Sequence, residues 1–171
     1  LNYRELCQNI QNELLGIVKE GQIINNVYHG DETEIYSDPR ILKNIMFNLL
    51  SNAIKYSDKE IYCDFFIKED EYVIKIKDSG IGIRLENYKL ILERFQKENR
   101  QDYLKNESGA GLGLPIVVQL LELFGSTLKL DSTFGEGSIF SFEIILESIN
   151  NPGSYTISKE SQFSFFEIPR S

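Results

Sequence analysis

Asn48-Leu49-Leu50-Ser51-Asn52-Ala53-Ile54-Lys55-Tyr56 is the stretch on which the reading of this chain turns. With the turn before it, it spaces Ile45, Met46, Leu49, Leu50, Ala53 and Ile54 as one apolar side of a helix. Asn44, Asn48 and Asn52 recur every four residues on a shared face. Ser37 or Asp38 can cap such a helix and Pro39 fits its first turn, so the pattern predicts a helix over Pro39–Tyr56. Asparagine is a poor helix-interior residue because its side chain competes for backbone hydrogen bonds. A repeated Asn ridge is therefore either a solvated ridge or a site whose amide oxygens hold a cation or phosphate-bound water. Lys55 and Tyr56, one turn beyond Asn52, add a charge and a hydroxyl where phosphates could sit.

Working outward, residues 3–19 place Leu6, Ile10, Leu14, Ile17 and Val18 at helical spacing, with Gly21 as the stop. Residues 22–28 read as a strand, and 34–36 as a short second one. After the Asn helix, residues 61–68 and 72–77 are β-rich runs around the polar turn Glu69-Asp70-Glu71, a hairpin that feeds directly into Asp78. Residues 84–108 hold a short helical piece around 88–95 and then a long polar run without period, of the kind often used as a functional lid. Residues 111–124 return to helix, read with Leu112, Ile116, Leu120 and Leu123 as its stripe. Residues 126–130 and 138–146, around Phe134-Gly135-Glu136-Gly137, make a second hairpin. The expected fold is a two-layer α/β (α+β) sandwich: a mixed, largely antiparallel sheet of about five strands, about three helices on one face, and a lid. Residues 1–147 form the expected domain. Residues 148–171, with Phe163, Phe165, Phe166 and Ile168, are a linker or a segment docked on the core.

The 171 residues suffice for one buried core, and a net charge of −8 argues against a nucleic-acid or anionic-membrane surface. Cys7 and Cys63 match no metal-ligand spacing and are too few for a disulfide framework, so both are read as small core residues in a reducing compartment. No apolar run approaches the roughly 20 residues of a membrane span. The start at Leu1 suggests a fragment of something longer.

Two further segments carry chemistry. Asp78 ends a strand before Ser79-Gly80-Ile81-Gly82, where glycines let a ligand approach the backbone and the carboxylate can accept a purine's exocyclic amine; a plain turn reads the same way. Gly109-Ala110-Gly111-Leu112-Gly113-Leu114 opens a helix whose free amides and dipole favour phosphate, or is simply a flexible helix entry. No strand precedes it, as a dinucleotide fingerprint requires, and it lacks the Gly-Lys-Ser/Thr of a P-loop. Pro115 places the helix start near Gly113.

In this order and at these separations, the three segments resemble the N box and two glycine boxes of the histidine-kinase catalytic ATP-binding domain, and Glu93-Arg94-Phe95 resembles its F box. The resemblance covers roughly residues 1–147. It implies ATP and Mg²⁺ as cofactors, with Asn52 as metal ligand, Asn48 beside it on the catalytic face, and Lys55 and Tyr56 near the phosphates. It further implies Asp78 on the adenine amine, Gly80 and Gly82 against the base, Gly109, Gly111, Leu112, Gly113 and Leu114 at the phosphates and lid hinge, and Phe95 as lid anchor.

Related ATP hydrolases and serine kinases of the superfamily carry a glutamate where this chain has Asn48, and an amide cannot take a proton at neutral pH. The resemblance therefore implies transfer of the γ-phosphoryl group to a histidine, which needs less activation. The only histidine, His29, sits in Tyr28-His29-Gly30-Asp31 and reads as a surface turn residue, so the acceptor is expected on a separate dimerisation domain of the same protein. A response-regulator receiver domain is the expected downstream partner. The domain is expected in the cytoplasm without membrane contact of its own, whether or not the full-length protein is anchored in the inner membrane. The alternative is a degenerate nucleotide-binding module that regulates a partner by contact.

Overall fold

A computed structural model describes residues 1–30, 34–35, 37–69, 71–84, 86–87 and 113–145. In chain order the elements are α1 (Tyr3–Leu14), β1 (Ile24–His29), α2 (Pro39–Tyr56), β2 (Ile61–Lys68), β3 (Glu71–Asp78), α3 (Gly113–Leu123), β4 (Lys129–Thr133) and β5 (Gly137–Ile145). The five strands form one sheet in the order β1-β2-β3-β5-β4. β1 runs parallel to β2, joined across α2, and every other pairing is antiparallel. This is the mixed two-layer sandwich that the alternation of elements predicts.

Strand register explains why one face is covered. The rows Cys63–Ile76–Phe140–Leu130 and Phe65–Ile74–Phe142 cross the sheet on one side, and all seven residues are buried. They pack with Tyr3, Leu6, Ile10 and Leu14 of α1, Leu42, Ile45, Met46 and Leu49 of α2, and Leu114, Val117 and Leu121 of α3. Each such side chain contributes about 1.5–3 kcal/mol when removed from water. The opposite rows carry Tyr62, Asp64, Lys75, Lys77, Ser141 and Glu143, which stay half-buried or exposed, with Val73 the buried exception, as expected for an antiparallel sheet with one largely wet face.

Several expectations are corrected. α1 stops at Leu14, not at residue 19: the N–H groups of Ile17 and Val18 both close on the Leu14 carbonyl, and Leu15 and Ile17 are exposed. Continuing the helix would hold Gly16 in its interior, at a cost of about 1 kcal/mol against alanine. On α3 the buried stripe is Leu114, Val117, Val118 and Leu121; Ile116 and Leu123 face solvent at 45 % and 52 % exposure. The helix is apolar nearly all round, so spacing alone fits two stripes. Residues 34–36 contribute only the isolated bridge between Asn2 and Glu34, with Tyr36 outside the described residues. The second hairpin pairs from Lys129, three residues later than the β-rich run suggests.

The fold gathers the chemistry at one end of the sheet. β3 ends there at Asp78, directly beside Ser138 at the start of β5, which is beside Ser132 near the end of β4. The C-terminus of α2 reaches the same end, with the Tyr56 carbonyl against Gly80, and the N-terminus of α3 lies against Asn48, two turns earlier on α2.

Candidate functional site

α2 begins where the sequence places it. The Asp38 carboxylate accepts from the N–H groups of Arg40 (2.9 Å) and Ile41 (3.4 Å), and Pro39 occupies the first turn, where its missing N–H costs nothing. These bonds, Arg40 first, hold the Asp38 carboxyl below its ordinary range. The amide ridge then runs along the helix. Asn48 Nδ2 donates to the Asn44 carbonyl at 2.7 Å, which commits the amine to its own helix. The Asn48 Oδ1 lies 3.0 Å from where a Cβ on Gly113 would stand, so it faces the start of α3. Asn52, one turn later, is half-buried. Lys55 is exposed, with its ammonium 5.6 Å from the Tyr56 ring.

The last turn of α2 is held from two sides. Lys19 Nζ donates to the carbonyls of Lys55 and Ser57, both at 3.1 Å, and to Asp58 Oδ1 at 2.8 Å. Gln22 Nε2 donates to the carbonyls of Ile54 (3.3 Å) and Ser57 (2.6 Å). Carbonyls at a helix C-terminus lack intrahelical donors, and these two side chains supply them. From the other side, the Ile81 N–H reaches the Tyr56 carbonyl at 3.5 Å.

Asp78 is 6 % exposed, and its Oδ1 accepts from the Gly80 N–H at 2.9 Å. Burial pushes its carboxyl up from the ordinary value, and the backbone bonds from Gly80 and Ser138 oppose that shift. The segment 80–83 forms a strap beside it. A Cβ at Gly80 would lie 2.2 Å from the Tyr56 carbonyl, and one at Gly82 2.1 Å from the Thr133 carbonyl. The close approach that the sequence assigns to a ligand is thus made by the chain's own backbone at both glycines. Gly82 also has φ 68°, where an L side chain is strained.

α3 starts at Gly113. Its first-turn N–H groups include those of Gly113 and Leu114 but none at Pro115, and the Leu114 side chain is in the core, leaving only its backbone to the site. Phe95, Gly109, Gly111 and Leu112 lie outside the described residues.

The sequence reading missed Ser132, Ser138, Lys19 and Gln22. Ser132 Oγ accepts from the Ile83 N–H at 2.9 Å, lies 3.0 Å from the Gly137 carbonyl and 2.8 Å from Ser138 Oγ. Both serines are buried. The available signal was their strand phase: each falls in the buried row of its strand, where an unexplained hydroxyl calls for a partner.

Residues 37–148 match the family described as Histidine kinase-, DNA gyrase B-, and HSP90-like ATPase. The circadian input-output histidine kinase CikA of Synechococcus elongatus is 30 % identical over 139 residues, 78 % of this chain and 18 % of that protein. The sensor histidine kinase GacS of Pseudomonas protegens is 31 % identical over 147 residues, 81 % of this chain and 16 % of its own length. Full-length ShkA, solved in complex with AMPPNP, superposes with a TM-score of 0.70 at 22 % identity over 84 % of this chain and 30 % of ShkA. The mycobacterial sensor histidine kinase MprB gives 0.65 at 20 % identity, covering 85 % and 95 %. The chain belongs to this ATPase family and is an ATP-binding catalytic domain of the histidine-kinase type. It spans less than a fifth of the length of the two curated relatives.

Proposed function

We propose that this domain binds Mg-ATP at the Asp78 end of the sheet and donates the γ-phosphoryl group to a histidine on a dimerisation domain of the same protein, for relay to a response-regulator receiver domain. Residues 1–147 are the catalytic unit in this reading and 148–171 a tail or linker, with the unit working in the cytoplasm. The observation that carries the proposal is how α2 links two places: its Asn48 oxygen faces the start of α3, and two turns later its Tyr56 carbonyl lies at the strap beside the buried Asp78 carboxylate.

Asp78 accepts the adenine amine in this arrangement, and the first-turn N–H groups of α3 meet phosphate oxygens. Lys55 and Tyr56 stand beside them. The donor set fits magnesium. Among the described residues no cluster of three or more His, Cys, Asp or Glu could hold a metal. Mg²⁺ characteristically takes one or two protein oxygens and fills its shell with phosphate and water, which the Asn52 and Asn48 amide oxygens suit. The metal's contribution when bound is to neutralise charge on the phosphates. The protein supplies position rather than a base: Asn48 cannot remove a proton from water, and its amine is already committed to Asn44.

For the partner, α3 keeps Ile116 and Leu123 exposed with Leu120 half-buried between them, a stripe that suits a helical domain docked beside the site. Among the described residues no helix is long and apolar enough to cross a membrane.

Calorimetric titration with ADP or a non-hydrolysable ATP analogue plus Mg²⁺ tests the reading. Binding with little turnover by the isolated chain is expected, and phosphorylation of a histidine-bearing partner domain separates a kinase from a regulatory nucleotide holder. Absence of binding to folded protein would refute it.

A further inference from the structure

Ser132 stands at a junction that base recognition does not itself account for. Register places Asp78, Ser138 and Ser132 side by side on β3, β5 and β4. The strap that flanks Asp78 is tied at four points. The Gly80 N–H goes to Asp78 Oδ1 (2.9 Å), the Ile81 N–H to the Tyr56 carbonyl (3.5 Å), and the Ile81 carbonyl accepts from the Gly135 N–H (2.7 Å). The fourth, the Ile83 N–H to Ser132 Oγ at 2.9 Å, is the only one of these that rests on a hydroxyl, and it spans 49 residues of sequence.

That hydroxyl has three partners around it. A serine has one proton and two lone pairs. With its proton on the Gly137 carbonyl (3.0 Å), Ser132 accepts from Ile83 N–H and from the Ser138 hydroxyl (2.8 Å). The residue is 2 % exposed, so bulk water does not compete for these bonds. Ser132 therefore fixes the far end of the strap to the same hairpin whose Ser138 N–H holds Asp78.

We propose that Ser132 is a positioning residue for base selection: by pinning Ile83 it sets the wall against which Asp78 reads an exocyclic amine, without touching the nucleotide. The inference rests on the reading that adenine occupies this end of the sheet. Guanine carries a carbonyl where adenine carries that amine, so a well-held wall favours ATP over GTP, and a loose one forfeits the advantage.

The test is Ser132→Ala, with ATP and GTP affinities measured by titration and Ile83 followed by amide hydrogen exchange. Loss of a buried acceptor is worth about a factor of ten. ATP affinity is expected to fall about tenfold, GTP affinity to move less than twofold, and Ile83 exchange to accelerate at least tenfold relative to β5 amides. A general loss of stability would weaken both nucleotides in proportion. An unchanged ATP:GTP ratio, or unchanged Ile83 exchange, overturns the inference. Should the variant not fold, the unaltered chain decides: an Ile83 amide exchanging as fast as exposed loop amides overturns the pin, and protection matching β5 supports it. Failure of the unaltered chain to bind either nucleotide fells the functional reading instead, and the exchange measurement still judges the pin.

Discussion

Replacing Gly82 by alanine isolates how much the strap depends on close backbone contact. Two costs are separable. At φ 68° an L residue carries roughly 1–2 kcal/mol of strain. The new methyl would also lie 2.1 Å from the Thr133 carbonyl oxygen, 2.7 Å from its carbon and 3.0 Å from Phe134 Cα, all backbone, so no side chain can swing aside. The strap must retreat by about an ångström. That retreat breaks the Gly135–Ile81 bond (2.7 Å) and the Ile83–Ser132 bond (2.9 Å), each worth about 1 kcal/mol net. The total is about 3–4 kcal/mol, or a fall in Tm of roughly 6–16 °C for a domain of this size. Gly21 provides the control, because it has φ 78° and nothing within 4 Å of where its methyl would stand. Gly21→Ala should carry the strain alone, about 1–2 kcal/mol. Thermal unfolding followed by circular dichroism compares the two. Equal shifts for Gly82→Ala and Gly21→Ala would show that the contact with Thr133 contributes nothing, and the account of the strap would be wrong.

Asp78→Asn keeps the acceptor for Gly80 and Ser138 but removes a charge that burial disfavours, so the free protein should melt higher at neutral pH while ATP affinity falls, measured by unfolding and titration. Because the folded carboxyl is shifted upward, its contribution to stability is present below the ordinary Asp value and lost as pH rises through the folded value. The stability gap between variant and unaltered chain should therefore widen across that window, and a constant gap from pH 3 to 7 would contradict it. Asn52→Ala should remove most of the Mg²⁺ dependence of ATP binding, read as a loss of the difference between titrations with Mg²⁺ and with chelator. Leu121→Ala should destabilise by about 2–5 kcal/mol and Ile116→Ala by no more than about 0.5 kcal/mol in denaturant melts; the reverse order would restore the stripe that spacing alone suggests.

Elements with one dominant signal were legible. α2 has a capping Asp, an early proline and a clean apolar side, and its bounds come out as the sequence predicts. β2 and β3 are β-rich runs around a polar turn and form the expected hairpin. α3 was not legible in the same way, because Ile116, Leu120 and Leu123 satisfy the helical period as well as Leu114, Val117 and Leu121 do. Only packing against the sheet chooses between them. α1 was overextended because Ile17 and Val18 keep the period after the backbone has left it. In the site, Asn48, Tyr56 and Asp78 were visible as residue types at motif spacing. Ser132 and Ser138 were not, since a serine in a strand names no partner until the register of β3, β5 and β4 is known. Lys19 and Gln22 act across more than 30 residues, a distance that local pattern does not span.

The hydrogen bond from Asn48 to the Asn44 carbonyl has a temporal meaning. A side chain fastened to its own helix, with no proton-accepting group, gives bound ATP no internal clock. On the proposed reading the loaded domain waits, and the moment of phosphoryl transfer is set by the arrival of the acceptor rather than by the lifetime of the nucleotide.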